Sequence, residues 1–446
     1  MNRSLLSGIR KRRSRLAVIG LGHVGLPIAS VFASTGYSVI GVDTKREVVD
    51  AISSSKLDTH EPGLNDMTEK AVKTGKLKTS VDTIAATKQA DIVLVCVQTP
   101  LIGRGRPDLR YLKNAMRKIA KGLSKRNLVV VVSTVPPGTM KNLAVEILEQ
   151  ESGLECSHDF WLAYSPERIL PGNAIKELIE NDRLVGGFDS ESAELASELF
   201  KTVTKGKILL TDVLSAELAK LAENTFRDVN IAFANELALI CEKTGADVLE
   251  VIRLANTHPR VTIHKPGCGV GGPCLAKDPY LLLHPTEGTK LRSSLIEHSR
   301  KVNDQMATHL VDLVVEALKQ SGKKAKDSRI TVLGAAYKAE VGDTTNSPSE
   351  KITHDLLSIG ADVTIYDPYT TENFGARSAK DIKNALDGAD CVVIATDHNS
   401  FKKLDLEETK RLMHPRPVVV DGKRIIDPQD AKVQGFTYYG VGLGMR

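Results

Sequence analysis

The sequence lacks the features that mark membrane-spanning, secreted or nucleic-acid-binding proteins. No apolar run in its 446 residues reaches the roughly 18–20 residues that a membrane-spanning helix needs. The basic N-terminal segment MNRSLLSGIRKRRSR has neither the apolar core nor the cleavage site of a secretory signal. The net charge is only +5, which suits a small anionic ligand and does not require nucleic acid. We therefore expect a cytoplasmic protein with neither a membrane nor a nucleic-acid partner.

Cysteine is sparse and has no regular spacing. The six cysteines are Cys96, Cys156, Cys241, Cys268, Cys274 and Cys391. In a chain of this length they indicate separate thiols rather than a disulfide framework, which fits a reducing compartment. They also lack the paired spacing with histidines that a zinc site needs, so no metal is predicted. The basic N-terminal residues are expected to form a solvated tail that leads into the first strand, although they could also contact an anionic partner; they are Arg10, Lys11, Arg12, Arg13 and Arg15.

Strand and helix patterns alternate in two stretches of the chain. LAVIG, SVIGVD, DIVLVCV and NLVVVVS are strand-like runs in the first stretch, and RITVLG, DVTIYD, CVVIAT and PVVVDG are strand-like runs in the second. Between them, residues 214–244 and about 294–320 predict long helices. The fold class is therefore α/β, with two Rossmann-like doubly wound domains joined by a long-helix central region. The predicted division is 1–211, 212–320 and 321–446.

A glycine motif follows the first strand and precedes a helix. In GLGHVG, Gly20 permits a tight turn, Gly22 lets the backbone approach a pyrophosphate, and Gly25 lets helix and strand pack closely. Asp43 ends the next strand, where an acid can bind the adenosine ribose hydroxyls and repel a 2′-phosphate. The pattern predicts NAD binding in preference to NADP, although the neighbouring Arg46 is a cation of the kind that binds a 2′-phosphate.

A second glycine-rich segment surrounds a cysteine. Residues 264–278, HKPGCGVGGPCLAKD, place Cys274 close in sequence to Lys277 and Asp278. The thiolate is the nucleophilic form of cysteine, and nearby cations promote it. Taken alone, this pattern leaves two interpretations open, a nucleophile or a small core side chain.

Six motifs in order resemble the UDP-glucose/GDP-mannose dehydrogenase family over nearly the whole chain after Arg15. They are GLGHVG (20–25), STVPPGT (133–139), YSPERILPG (164–172), LAKLAENTFR (218–227), GVGGPCLAKD (269–278) and GAAYKAEVGDTTNSP (334–348). The family oxidises the C6 alcohol of a nucleotide sugar twice, with two NAD, through a thiohemiacetal and a thioester on cysteine. The resemblance therefore implies NAD as cofactor and a UDP-sugar as substrate. The long apolar stripe of the helix at 214–244, to which Phe226 and Phe233 add aromatic area, predicts a homodimer or larger homo-oligomer through this helix.

The resemblance also assigns roles to individual residues. Cys274 matches the nucleophile, Lys220 and Asn224 match the pair that stabilises the reacting oxygen, and Asp278 matches the acid that accepts the alcohol proton through a water. Thr134 matches the threonine that orders this water, and Glu167 matches the acid that assists thioester hydrolysis. The expected NAD contacts are Gly20, Gly22, His23, Val24, Gly25, Asp43, Thr99 and Thr134. The expected substrate contacts are Glu167, Arg168, Lys220, Asn224, Arg260, Gly271 and Lys338.

The segment around Arg168 resembles the N-acetylhexosamine branch of the family. UDP-glucose-specific members share SPEFLREG, whereas this chain has SPERILPG, and residues 255–267 resemble the enzymes of UDP-N-acetylmannosamine. Three positions depart from the usual pattern: Pro273 stands where this branch often has histidine, Lys277 resembles the UDP-glucose enzymes, and Thr345 replaces an arginine. Lys338 remains, and Lys423 or Arg424 is available to take over the role of that arginine.

Several other functions compete with this one. UDP-N-acetylglucosamine and UDP-glucose are alternative substrates of the same chemistry. A β-hydroxyacid dehydrogenase shares the cofactor domain but needs neither the cysteine nor a second Rossmann-like domain, and a non-catalytic nucleotide-sugar sensor would not need the predicted catalytic residues. Cys268 is favoured as a small buried side chain, with a reversible disulfide to Cys274 as the alternative.

Overall fold

Short apolar runs form the buried strands of a sheet in the N-terminal part of the chain. The computed structural model describes residues 3–57, 59, 61–103, 105–289 and 294–444, which form two units, Met1–Glu223 with Tyr280–Lys290 and Asn224–Pro279 with Leu291–Arg446. The strands of the first unit are β1 (Arg15–Ile19), β2 (Ser38–Val42), β3 (Leu77–Ser80), β4 (Ile92–Val95), the β5–β6 hairpin (Leu101–Ile102 and Arg106–Pro107), β7 (Leu128–Val131), β8 (Trp161–Tyr164), β9 (Arg183–Gly187) and β10 (Ile208–Asp212).

The first sheet has the strand order of a dinucleotide-binding fold. Its order is β10-β9-β8-β7-β4-β1-β2-β3, and the six strands from β3 to β8 are parallel neighbours. This doubly wound order leaves a crevice at the carboxyl ends of β1 and β4, where the winding reverses. Beyond β8 the sheet continues with β9, which is antiparallel to β8, and with β10, which is parallel to β9.

Helices cover both faces of this sheet, as its doubly buried strands require. They are α1 (Arg3–Arg10), α2 (Gly25–Ser34), α3 (Arg46–Ser53), α4 (Leu64–Lys73), α5 (Thr83–Gln89), α6 (Arg110–Gly122), a π-helix (Met140–Ala144), α7 (Val145–Ser152), α8 (Ala174–Glu180) and α9 (Ser190–Lys201). Two apolar clusters, one on each face, include Phe32 and Phe200 on one side and Met116 and Phe160 on the other.

The N-terminal segment differs from the predicted solvated tail. It forms α1, and its side chains Leu5, Leu6 and Ile9 are buried in the core next to α9. Two of its basic residues are held within the molecule, Arg10 by Glu198 at 2.7 Å and Arg12 by the carbonyl of Thr35 at 3.0 Å. The prediction rested on the basic residues and overlooked three apolar residues with helical spacing. Burial of these three side chains stabilises the helix more than solvation of the charges favours an extended tail.

The predicted long helices are confirmed. The first is α10 (Val213–Thr244), which ends before Gly245, where a left-handed φ of 81° stops the helix. Then follow α11 (Val248–Ala255), α12 (Asp278–Leu283), a 3-10 turn (His284–Thr286) and α13 (Ser294–Gln320). None of the helices among the described residues combines the length and the hydrophobicity that crossing a membrane requires.

The second unit contains a fully parallel six-stranded sheet. Its strands are β11 (Arg329–Leu333), β12 (Asp362–Tyr366), β13 (Arg377–Ser378), β14 (Cys391–Ile394), β15 (Val418–Asp421) and β16 (Thr437–Gly440), in the order β13-β12-β11-β14-β15-β16. The accompanying helices are α14 (Pro348–Ile359), α15 (Ile382–Leu386), a 3-10 turn (Phe401–Lys403), α16 (Leu406–Leu412) and α17 (Pro428–Val433). The same doubly wound order thus recurs, which confirms the predicted α/β class with two Rossmann-like domains.

Candidate active site

The glycine turn between β1 and α2 has the geometry of a pyrophosphate cradle. Gly20 has a φ of 93°, and a Cβ on Gly25 would stand 1.8 Å from the carbonyl oxygen of Gly20, so the fold itself requires both glycines. By contrast, a Cβ on Gly22 would meet nothing within 4 Å. Packing therefore does not explain Gly22, whereas close approach of a ligand to the exposed backbone at Gly22 and His23 does.

A carboxylate borders this turn, and two threonines follow strands β4 and β7 of the same sheet. Asp43, which follows β2, accepts hydrogen bonds from the backbone N–H groups of Leu21 at 3.0 Å and Lys45 at 2.9 Å. These bonds hold the half-buried carboxylate beside the glycine turn, where it can bind ribose hydroxyls. Beyond the ends of β4 and β7, the hydroxyl of Thr99 donates to the carbonyl of Thr134 at 2.6 Å. These residues suit the adenosine and pyrophosphate parts of NAD.

Glu167 lies beyond β8 in a buried ion pair. Its Oε2 is 2.6 Å from Nη2 of Arg183, and its Oε1 accepts the backbone N–H of Arg168 at 2.9 Å. Both charged side chains are less than a tenth exposed, and the Arg183 guanidinium also lies 4.4 Å from the ring centre of Phe200. Each of these buried charged groups thus has the other as its partner, as burial of a charge requires.

Arg168 is held by contacts within the first unit. Its guanidinium pairs with Glu223 and also donates to the carbonyl of Asp182 at 3.2 Å. The side chain is about a quarter exposed, so part of it remains accessible. These contacts fix the orientation of the Arg168 side chain.

The predicted helical pair occupies one face of α10. Lys220 and Asn224 are four positions apart and buried, with 6% and 7% exposure. Within the second unit, Asn224 donates to Oδ2 of Asp278 at 2.6 Å. Asp278 begins α12, is 1% exposed, and has Nζ of Lys277 at 3.8 Å from Oδ1. The structure thus joins Asn224 and Asp278, which are 54 positions apart in the sequence.

Cys274 is exposed at the turn that leads into α12. Its carbonyl oxygen accepts the N–H groups of Lys277 at 3.0 Å and Asp278 at 2.8 Å, so the turn fixes the cysteine next to the buried carboxylate. Burial raises the pKa of Tyr337 to about 12, and the charges of Asp343 and Cys274 act in the same direction.

The glycines before the cysteine let another segment of the second unit pack against it. A Cβ on Gly271 would stand 2.6 Å from the carbonyl oxygen of Asn346. Gly272 donates to the carbonyl of Thr345 at 2.8 Å and accepts from the side chain of Asn346 at 3.2 Å. Gly271 is therefore required by this packing, and the segment of Thr345 and Asn346 holds the cysteine loop through one backbone carbonyl and one side-chain amide.

Cys268 has a different environment from Cys274. Its side chain is 1% exposed in the core of the second unit, and its thiol donates to the carbonyl of Ala395 at 3.2 Å. Burial raises the pKa of this thiol, which makes it a poor nucleophile. The structure therefore favours the interpretation of Cys268 as a small buried side chain.

The remaining predicted substrate residues lie apart from the cysteine turn in sequence. Lys338 is half-buried in the turn after β11, and Arg260 is exposed in the turn after α11. Sequence reasoning missed Asp367, whose carboxylate accepts the N–H groups of Ala335 and Ala336 at 2.8 and 2.9 Å and pairs with the buried His398 at 3.0 Å. It also missed Arg183 and Glu217, because an ion pair or a cap between distant segments leaves no local pattern.

The strand order, the open glycine turn and the acid after β2 define a protein of the NAD-binding class. The chain belongs to the UDP-glucose/GDP-mannose dehydrogenase family. The family's NAD-binding domain matches residues 14–204, its central domain residues 214–305, and its UDP-binding domain residues 331–428. The protein is therefore an enzyme that uses NAD to oxidise a nucleotide sugar.

Several relatives match the whole length of the chain. The UDP-N-acetyl-D-mannosamine dehydrogenase of Pyrococcus horikoshii is 42% identical over 96% of this chain and 99% of its own, and its solved structure superposes with a TM-score of 0.90. The enzyme of the same name from Methanocaldococcus jannaschii is 38% identical over 98% of both chains. The NDP-N-acetyl-D-galactosaminuronic acid dehydrogenase structure from Methanosarcina mazei covers 99% of this chain and 98% of its own, at 34% identity and a TM-score of 0.85.

Proposed function

We propose that the protein oxidises C6 of UDP-N-acetyl-D-mannosamine from an alcohol to a carboxylate. The observation that carries this proposal is the exposed Cys274 beside the buried Asn224–Asp278 pair. A thiol retains the intermediate aldehyde as a thiohemiacetal, which is what a four-electron oxidation on one enzyme needs. The names of the full-length relatives support this sugar, and the segment around Arg168 supports the N-acetylhexosamine branch.

Asp278 and Asn224 are proposed to act on the alcohol. The carboxylate of Asp278 accepts the hydroxyl proton, through a water that Thr134 orders, as the C6 hydride leaves. The amide of Asn224 and the ammonium of Lys220 stabilise the negative charge that develops on oxygen. NAD supplies the hydride acceptor in each of the two oxidations.

The second half of the reaction is proposed to depend on Cys274 and Glu167. The Cys274 sulfur adds to the aldehyde carbon, and the resulting thiohemiacetal loses a second hydride and a proton to become a thioester. Water then adds to the thioester carbon, the carbon–sulfur bond breaks, and the carboxylate leaves. Glu167, held by Arg183 at 2.6 Å, accepts the proton of that water.

We also propose that the three domains divide near 211 and 320 and that α10 forms a homodimer interface. Phe226, Phe233 and Ile240 are spaced by seven residues on α10 and are each more than half exposed. Such a row of large apolar side chains is typical of a helix that packs on a partner. The family resemblance further assigns a substrate contact to Arg260 across this interface.

The function is tested by the yield of NADH from a panel of UDP-sugars. We expect two NADH per UDP-N-acetylmannosamine consumed and no aldehyde trapped by an amine reagent, because the thiol retains it. Slower turnover is expected with UDP-N-acetylglucosamine and UDP-glucose. One NADH per sugar, or free aldehyde, would contradict the thioester route, and faster turnover of another UDP-sugar would contradict the substrate. A non-catalytic sensor would form no NADH at all.

A further inference from the structure

A buried carboxylate connects α10 to the segment after β7. Glu217 is 0% exposed, its Oε2 accepts the N–H of Gly138 at 2.6 Å, and its Oε1 accepts the N–H of Met140 at 2.8 Å. These two N–H groups lie at the start of the π-helix Met140–Ala144, where helical N–H groups lack partners in their own helix. Glu217 therefore caps that helix from an element 77 and 79 positions away in sequence.

The two segments that Glu217 joins both carry proposed site residues. Thr134 lies four positions before Gly138, in the turn after β7. Lys220 lies three positions after Glu217, one turn further along α10. Gly138 has a left-handed φ of 87°, a conformation that favours glycine at this turn. Two hydrogen bonds to the two oxygens of one carboxylate fix both the position and the orientation of the turn relative to α10, whereas a single bond would leave the turn free to rotate.

We infer that Glu217 is a positioning residue, which holds the segment of Thr134 against the helix of Lys220 so that both keep their places around the reacting alcohol. The inference rests on the proposed function, because only there do Thr134 and Lys220 act on the same substrate. Glu217 itself touches backbone N–H groups and has no proposed contact with substrate or cofactor. Displacements of about 1 Å at a catalytic group reduce rates on the order of 10²-fold, which sets the expected size of the effect.

The charge state of Glu217 gives this role a pH signature. Burial raises the pKa of Glu217 to about 7, the charge of Asp212 acts in the same direction, and the two backbone N–H groups, which do not titrate, act against both. The ionised carboxylate is the stronger acceptor, so the connection tightens and kcat rises as the pH rises through about 7. Stability changes in the opposite direction. The pKa of Glu217 is raised above its usual 4.5. The protonated side chain therefore contributes in full to the free energy of unfolding below pH 4.5, and this contribution is lost as the pH rises through about 7.

The experiment compares Glu217→Gln with Glu149→Gln as a matched control. Glu149 lies on α7 and its carboxylate also accepts a backbone N–H, that of Cys156 at 2.9 Å, but it joins no proposed site residues. In Glu217→Gln an amide NH₂ replaces one carboxylate oxygen, so one of the two hydrogen bonds from Gly138 and Met140 is lost. We expect faster amide hydrogen exchange in residues 133–144, a kcat lowered on the order of 10²-fold, and loss of the rise in kcat near pH 7. Glu149→Gln should leave all three unchanged.

The outcomes separate this inference from the proposed function. If the parent is active and Glu217→Gln changes kcat by less than twofold, the positioning role alone is refuted. The same holds if Glu217→Gln lowers kcat but the variant keeps the rise in kcat near pH 7. A parent inactive on every UDP-sugar refutes the proposed function and the role with it. If the amide variant does not fold, Glu217→Asp takes its place: it keeps the charge but shortens the reach, so an intermediate kcat is expected and full activity overturns the inference.

Discussion

Two aspartates follow equivalent strands of the two Rossmann-like domains, but their carboxylates have different partners. Asp43, after β2, is half-buried and bonds two backbone N–H groups beside an open glycine turn. Asp367, after β12, bonds the turn in the same way, but the buried His398 also pairs with it. Protein groups thus occupy the second carboxylate more fully than the first, although the two strands hold equivalent places in their sheets.

The carboxylate of Asp43 should determine the choice of cofactor. We expect kcat/KM for NAD to exceed that for NADP at least about tenfold, or 1.4 kcal/mol, because the carboxylate repels a 2′-phosphate. Asp43→Asn should lower the ratio of kcat/KM for NAD to kcat/KM for NADP. Glu47→Gln, which removes an exposed charge from the first turn of α3, should leave it unchanged and serves as the control. Equal or faster turnover of NADP by the parent enzyme would disprove the prediction.

The two cysteines of the glycine-rich loop should behave differently on substitution. Cys274→Ser should abolish formation of the uronate, because the hydroxyl does not replace the thiolate. Cys268→Ala should keep kcat and lower the free energy of unfolding by about 1 kcal/mol, since it removes one small buried group. After mild peroxide treatment, dithiothreitol should restore Cys268→Ala as well as it restores the parent. Loss of that recovery in Cys268→Ala would instead support a disulfide between the two cysteines.

At the scale of elements, long periodic segments are predictable and short caps are not. The bounds of α13, Ser294–Gln320, follow from its helical spacing alone, and Gly245 marks the end of α10. The π-helix at Met140–Ala144 depends on a carboxylate from α10, so no local pattern reveals it. The same holds for β9, whose antiparallel pairing with β8 depends on where the chain returns to the sheet.

The exposed row on α10 should determine the oligomeric state. Phe233→Glu places a charge in the middle of the row, so sedimentation velocity at micromolar concentration should show a dimer for the parent and a monomer for the variant. Val433→Glu, at an apolar residue on α17 that is 82% exposed, is the matched control and should remain a dimer. A monomeric parent enzyme would remove the proposed interface.

At the scale of the whole molecule, the sequence was most informative where a pattern repeats. The alternation of strands and helices predicted both sheets and their α/β class, because each buried parallel strand must be apolar along its length. The site was predictable through ordered motifs, and the structure adds the Asn224–Asp278 bond. What sequence could not reveal are pairings between distant charges, such as Glu167 with Arg183, since Coulomb attraction depends on distance in space.

The N-terminal helix has a consequence for synthesis of the chain. Leu5, Leu6 and Ile9 are buried beside α9, which begins about 180 residues later. At roughly 5–20 residues per second, the ribosome delivers that partner about 10–40 seconds after the helix itself. During this interval the three apolar side chains must remain in water or bind something else, next to a cluster of positive charges. Nascent-chain binding factors that recognise short apolar segments flanked by basic residues would therefore meet a suitable site on this protein before the ribosome has made α9.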